Sequence, residues 1–243
     1  MGFELDHRNV QKVMITGSAG TIGLAMTKLV QQQYPKAEIH TLSRKTALIE
    51  GTVHHQVPDY DDISLNELSR DELKGLDLVF VANGLLHDGD LQPEKSLKNL
   101  SSSNFETIFK ANTLAPMLLA QYFLPLMSKH RPSVFAALSA RVGSISDNGI
   151  GGWYSYRASK AALNMMIKTA AIEFKRKNKQ GIIVGLHPGT VDSNLSKPFQ
   201  ANVPEHKLFS PEQSAAYLLK VIQDLTPENT GRCYAWDGQE IQP

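Results

Sequence analysis

A chain of 243 residues, 42% apolar and 20% charged, is long enough to bury a sheet with helices on both faces without a disulfide or structural metal. A formal net charge of +1 gives no electrostatic case for binding nucleic acid or an anionic membrane. The single cysteine, Cys233, cannot make an internal disulfide, which agrees with a reducing, cytoplasmic compartment.

The N-terminus, Met1 to Val10, carries Glu4, Asp6, His7 and Arg8 and lacks the apolar region of a signal peptide. Lys12 to Thr16 reads as a short buried strand. Gly17-Ser18-Ala19-Gly20-Thr21-Ile22-Gly23 follows at once, and Leu24 to Val30 then shows helical spacing. Glycines in a turn between a first strand and a helix allow a tight bend and close approach of the backbone to a pyrophosphate. They also let the helix pack tightly on the strand, while its free N–H groups favour the phosphates. The next strand, Glu38 to Leu42, ends in Ser43-Arg44-Lys45. The carboxylate that commonly holds the ribose 2′-hydroxyl of NAD is missing from positions 40 to 47, and an Arg fork suits a 2′-phosphate. NADP(H) is therefore favoured over NAD(H).

Thr52 to Val57 is a third strand, and Ile63 to Leu73 reads as an amphipathic helix. The acidic pairs Asp61-Asp62 and Asp71-Glu72 lack clustered histidines, so no metal site is expected. Asp77 to Val81 is a fourth strand, closed by Ala82-Asn83-Gly84 at the carboxyl end where ligands bind in open α/β sheets. Leu86 to Leu100 is polar and loop-like. Asn104 to Met127 reads as one long helix carrying Asn112, a polar residue costly inside an apolar helix unless bonded, and able to bend it. Its apolar part, Ala111 to Met127, is too short and too polar for a membrane span. Ser133 to Leu138 is a fifth strand, followed by Ser139-Ala140-Arg141-Val142-Gly143-Ser144 and a Gly, Asp and Asn-rich loop to Gly152.

Tyr154 to Asn164 then opens a helix running to about Asn178. Within it Tyr156 and Lys160 stand four apart, one turn from each other on one face. A phenol beside an ammonium is expected to have its pKa drawn down from about 10 toward the working range, which makes a proton donor and acceptor. Ile182 to Leu186 is a sixth strand, followed by His187-Pro188-Gly189-Thr190. Val191 to Lys207 is irregular and stands where a substrate-covering loop would sit. Ser210 caps a helix with Pro211 at its first position, extending to about Asp224, and Gly231 to Trp236 is a last strand. The alternation predicts a doubly wound α/β fold: a mostly parallel, Rossmann-type sheet of about seven strands with helices on both faces, in one domain over residues 1–243.

Thr16-Gly-x-x-Gly-x-x-Gly23, Ala82-Asn83-Gly84, Asn112, a serine after strand five, Tyr156-x-x-x-Lys160 and Pro188-Gly189 stand in order along nearly the whole chain. Together they resemble the short-chain dehydrogenase/reductase family. Ser-Ala-Arg-Val-Gly-Ser-Ile, Gly151-Gly-Trp-Tyr-Ser-Tyr-Arg-Ala-Ser-Lys160, His187-Pro-Gly-Thr-Val and Ala235-Trp-Asp-Gly238 resemble its C-factor-like subgroup. The resemblance implies hydride exchange between NADP(H) and a small carbonyl or alcohol substrate, of the carbonyl reductase or alcohol dehydrogenase type. Tyr156 would act as acid or base, Lys160 would lower its pKa and bond the nicotinamide ribose, a serine would hold the substrate oxygen, and Asn112 would position a water leading to Lys160. Gly17, Ser18, Gly20, Thr21, Ile22 and Gly23 would surround the phosphates, and Ser43 and Arg44 the 2′-phosphate. Gln56 and Val57 would lie toward adenine, Asn83 and Gly84 on the adenosine side, and Pro188, Gly189 and Val191 at the nicotinamide.

The sequence departs from the family pattern in three places. Thr21 takes the place of the usual middle glycine. Gln56 stands where an Asp often contacts adenine. The usual serine position, three residues before a glycine, is Ala140, which leaves Ser139 as the catalytic candidate and Ser144 as the weaker one. The family's habit of pairing through its fourth and fifth helices implies a homodimer or homotetramer. The C-factor resemblance also implies an alternative, a nucleotide-binding signalling or regulatory protein with little catalytic role.

Overall fold

The computed structural model describes residues 10–202 and 204–243. The reading of Met1 to Val10 as free of a signal peptide falls, Val10 apart, outside them. Seven strands form one sheet: β1 (Lys12–Thr16), β2 (Glu38–Ser43), β3 (Val53–Gln56), β4 (Leu78–Val81), β5 (Ser133–Leu138), β6 (Gly181–His187) and β9 (Cys233–Ala235). Their order is β3-β2-β1-β4-β5-β6-β9, and every pairing is parallel. Two residues each of β7 (Thr190–Val191) and β8 (Leu208–Phe209) pair separately.

The central strands are continuous apolar runs because both faces are covered. On one face Val13, Ile15, Phe80 and Val134 pack with Met26 and Val30 of α1 (Thr21–Gln33) and with Leu218 and Ile222 of α6 (Pro211–Asp224). On the other, Met14, Val79, Phe135 and Ile183 pack with Leu119 and Phe123 of α4 (Ala115–Phe123) and with Leu163 and Ile167 of α5 (Tyr154–Lys177). Chain order reverses between β1 and β4, and the crevice outside their carboxyl ends is where an open parallel sheet binds ligands.

Three expected elements differ. The helix read over Ile63 to Leu73 is only α2 (Asp62–Asn66). Beyond it the Leu68 carbonyl accepts from the Tyr122 hydroxyl at 2.8 Å, the Glu72 carbonyl accepts from Lys12 Nζ at 2.6 Å, and Leu73 is driven fully into the core. These tertiary bonds replace the helical ones. The long helix over Asn104 to Met127 is broken into α3 (Ser102–Phe109), a π-helical turn at Lys110–Leu114, α4 and a final 3₁₀ turn at Leu124–Leu126. The π turn is centred on Asn112, whose bonding needs outweigh the regular ladder, as π-bulges commonly do at functional sites. The irregular stretch after Val191 contains 3₁₀ turns at Lys197–Asn202 and Glu205–Lys207, with Asp192 N bonded to the Phe209 carbonyl at 2.8 Å at its base. No helix among the described residues is long and apolar enough to cross a membrane.

Candidate active site

The carboxyl ends of β1, β4, β5 and β6 open into a cleft of about 590 Å³. Gly20, Thr21 and Ile22 form one end, Asn83 and Gly84 the middle, and Ser139, Tyr156, Lys160, Pro188, Gly189 and Val191 the other. Residues scattered through the chain thus meet because four parallel strands end side by side.

The glycine turn is shaped by contacts that exclude side chains. Gly17 takes φ +69, and a Cβ on Gly23 would stand 2.3 Å from the Gly17 carbonyl oxygen. Gly20 caps α1 without any side-chain bond, and the first turn carries no acid, so the helix N–H groups and the positive end of its dipole face the cleft. Ser18 is fully buried and its hydroxyl has no partner. A buried orphan hydroxyl beside free helix N–H groups fits the phosphates of a dinucleotide.

Ser43, Arg44, Gln56 and Val57 gather outside the cleft lining, where β2 and β3 end. Gln56 Nε2 donates to the Arg44 carbonyl at 3.3 Å, and Val57 N donates to the Ser43 carbonyl at 3.1 Å. Arg44 is exposed, with its guanidinium 5.9 Å from the centre of the Tyr60 ring. The nearby Asp59 is paired instead with Lys110 at 2.6 Å.

At the other end Asn112 is completely buried. Its Oδ1 accepts from Leu85 N at 2.7 Å and its Nδ2 donates to the Leu85 carbonyl at 2.7 Å and to Ser159 Oγ at 3.2 Å. The side chain thereby clamps the segment after β4 to α5. A Cβ on Gly84 would lie 3.7 Å from Asn112 Oδ1 and 3.9 Å from Lys160 Nζ, so both polar groups converge on that bare backbone.

Lys160 is buried and donates from Nζ to the Leu138 carbonyl at 2.8 Å. Burial lowers its pKa from 10.5 to about 8. Its ammonium lies 5.9 Å from the centre of the Tyr156 ring. The expected fall in the Tyr156 pKa is not found. Burial pushes the phenol up to about 12, because Nζ is tied to a backbone carbonyl instead of to the hydroxyl. At neutral pH Tyr156 is therefore a neutral phenol, able to donate a proton.

Ser139 lies in the cleft wall but directs its hydroxyl to Asn164 Oδ1 at 2.6 Å, while Ala140 occupies the neighbouring lining position. Ser144 is buried beside Ser146 and accepts from Asp147 N at 3.1 Å, outside the lining. Burial holds His187 neutral with its pKa down at about 4, and its Nδ1 has no partner.

Several residues of the site escaped the sequence reading. Leu86, Val142, Leu195 and Phe199 line the substrate end; Leu195 and Phe199 fall in the stretch read as a substrate-covering loop, while no local pattern marks Leu86 and Val142. Glu94, in a stretch read as polar loop, is buried, and its carboxylate takes both the N–H (3.2 Å) and the hydroxyl of Ser155 at the start of α5. His87 Nε2, in the segment after β4, donates to the carbonyls of Asn194 and Leu195, both at 3.1 Å.

A family profile described as short chain dehydrogenase matches residues 11–204, four-fifths of the chain and the whole arrangement just described. The chain belongs to the short-chain dehydrogenase family. Within this oxidoreductase family it is 36% identical over 172 residues to 1-hydroxy-2-glutathionyl-2-methyl-3-butene dehydrogenase of a Rhodococcus species, covering 69% of this chain and 68% of the relative. It is 31% identical over 147 residues to the C-signal protein of Myxococcus xanthus, covering 60% of this chain and 82% of that one. This bears out the C-factor-like resemblance. The NADPH-bound carbonyl reductase from chicken fatty liver shares the fold, with a TM-score of 0.81 at 22% identity over 96% of this chain and 99% of that chain.

Proposed function

We propose that this short-chain dehydrogenase is an NADP(H)-dependent oxidoreductase that interconverts a small carbonyl compound and its alcohol. The observation that carries the reading is the meeting of the buried Lys160 and of Tyr156 with a glycine-rich turn in one cleft. Gly17, Ser18, Gly20, Thr21, Ile22 and Gly23 would hold the pyrophosphate, Ser43 and Arg44 the 2′-phosphate, Gln56 and Val57 the adenine. Asn83, Gly84, Pro188, Gly189 and Val191 would complete the groove. A nicotinamide held in that groove would supply or accept the hydride.

The chain's own residues handle the proton and the geometry. In reduction Tyr156 gives its phenolic proton to the substrate oxygen as that oxygen gains negative charge, and a proton from solvent restores the phenol. The Lys160 ammonium stabilises the transient phenolate through the low-dielectric cleft. Asn112 fixes Leu85 and Gly84 beside Lys160, and thereby the floor on which the reactants are oriented. With Ala140 in the lining and Ser139 bonded to Asn164, Tyr156 supplies the main donor to the substrate oxygen. Exposed apolar side chains on α5, Met165, Met166 and Ile172, with Leu114 just before α4, support assembly into a homodimer or homotetramer.

Titration with NADPH and NADH, followed by nicotinamide fluorescence, tests the cofactor reading. Tighter binding of NADPH supports Arg44 as the 2′-phosphate clamp, and preference for NADH refutes it. Likeness to the C-signal protein favours a second reading, a nucleotide-binding signalling protein with little catalytic role. Tyr156→Phe separates the two. Loss of carbonyl-dependent NADPH oxidation with cofactor binding retained supports the enzyme. Absence of any turnover by the wild type supports the second reading.

A further inference from the structure

Three rings stand in a row over the substrate end of the cleft. The Trp153 ring lies 6.1 Å from that of Tyr156 at 76°, and 5.0 Å from that of Phe199 at 63°. Both are the edge-to-face arrangements that aromatic quadrupoles favour. His87 continues the row, 5.7 Å from Phe199 at 70°, and its bonds to the Asn194 and Leu195 carbonyls fasten the segment bearing Phe199 to the segment after β4.

Trp153 is held in this row against its backbone preference. Its φ is +52, and among the described residues no other non-glycine residue has a positive φ. A bulky side chain in that region is strained, and such strain persists only where the surroundings over-determine it, most often at functional sites. The surroundings here are visible. Gly151 and Gly152, at φ +72 and +68, bring the chain in left-handed, and Trp153 N donates to the Glu94 carbonyl at 2.6 Å. The Glu94 carboxylate holds Ser155, so one buried residue fixes both sides of the indole's backbone. Helix α5 needs no indole at its cap, since Trp153 makes no side-chain capping bond.

The charge of the cleft narrows what the rings meet. Among the described residues its lining has no carboxylate. Lys160 is engaged with Leu138, and Arg141 is exposed and faces Asp147 at 4.0 Å. Leu86, Val142 and Leu195 supply the rest of the wall near Trp153.

We infer that Trp153 and Phe199 form a one-sided aromatic clamp, a continuous edge-to-face wall, that selects carbonyl substrates without a cationic group and with a planar aromatic group beside the reacting carbon. Trp153 stands one ring's breadth from the Tyr156 ring, so an aryl group attached directly to the carbonyl reaches the clamp while the oxygen reaches the phenol. The inference rests on the oxidoreductase reading for the identity of the reacting group, but not for the binding of the ring.

The test compares acetophenone with cyclohexyl methyl ketone, a substrate of similar size without a flat ring, in wild type, Trp153→Gly, Trp153→Phe and Phe199→Ala. Glycine suits the positive φ, so Trp153→Gly removes the indole without straining the fold. The ratio of kcat/KM for acetophenone over cyclohexyl methyl ketone falls about tenfold in Trp153→Gly and in Phe199→Ala, and Trp153→Phe restores most of it. Calorimetric titration of acetophenone into wild type and Trp153→Gly gives the same comparison without turnover, with about tenfold weaker binding to the variant. If neither ketone oxidises NADPH the oxidoreductase reading falls, and the calorimetry still judges the clamp. An unchanged ratio or unchanged affinity in Trp153→Gly overturns the clamp, as does failure of the wild type to bind acetophenone.

Discussion

Replacing Lys160 by methionine is expected to abolish activity and to make the protein more stable. The side chain is 2% exposed, and burial lowers its pKa from 10.5 to about 8. At 1.36 kcal/mol per pH unit, that displacement costs the folded state about 3 kcal/mol at pH 7. The bond from Nζ to the Leu138 carbonyl returns about 1–2 kcal/mol of this. A Cβ on Gly143 would lie 2.8 Å from the Lys160 Cβ, so the stem is tightly enclosed and an unbranched replacement is required. Lys160→Met should therefore gain about 1–2 kcal/mol in urea unfolding at pH 7. The advantage should shrink with alkali. Between about pH 8 and 10.5 the unfolded lysine keeps its proton while the folded one has shed it, so wild-type stability rises relative to the variant through that window. Cys233 and Tyr156, with pKa values pushed up to about 11 and about 12, act in the opposite direction on both proteins; the Lys160 charge restrains the rise at Cys233, so its removal lets the thiol pKa climb further and shrinks the variant's advantage in alkali still more. A variant less stable than wild type at pH 7, or a difference independent of pH, refutes the reasoning.

Arg44→Ala should weaken NADPH binding about 10- to 100-fold, the loss of charge-assisted bonds to one phosphate, and change NADH binding little; fluorescence titration with both nucleotides reads this. Glu94→Ala removes the buried acceptor of the Ser155 N–H and hydroxyl and should lower stability by about 1–3 kcal/mol in urea unfolding, with Glu94→Gln recovering part of it. Acid should loosen the β2–β3 edge. Burial lowers the pKa of His40, His54 and His55, so below their ordinary value near 6.5 the unfolded chain binds protons that the folded one refuses, and stability falls with pH. Replacing His40 and His55 together by glutamine should flatten the slope of denaturation midpoint against pH from 7 to 5; an unaltered slope counts against their role.

The sheet was legible because each central strand is an apolar run between turn residues, and because Gly17, Gly20 and Gly23 stand directly after the first of them. What escaped the sequence was decided by tertiary partners. The break at Asn112 depends on the Leu85 backbone, far away in the chain, and the shortening of α2 depends on Tyr122 and Lys12. The direction of the Tyr156 pKa turned on where the Lys160 ammonium points, and i, i+4 spacing does not carry that. Glu94 is lost within a stretch that reads as polar loop, because nothing local says that a helix start lies over it. Trp153 had one signal, the glycine pair before it, which permits a left-handed approach but does not announce a left-handed tryptophan.

The strand order also bears on how the chain emerges during synthesis. β2 is laid beside β1, β3 beside β2, β4 on the free side of β1, and β5, β6 and β9 each beside the strand already outermost there. No strand must be threaded between two that are already paired, so the sheet can grow outward from its N-terminal strand as residues leave the ribosome. One debt is left until the end. The apolar face of α1, with Met26 and Val30, is covered by Leu218, Leu219 and Ile222 of α6, almost the last element made. A nascent chain stalled before residue 211 would carry a nearly complete sheet with that helix face bare, and would be the form that chaperones hold.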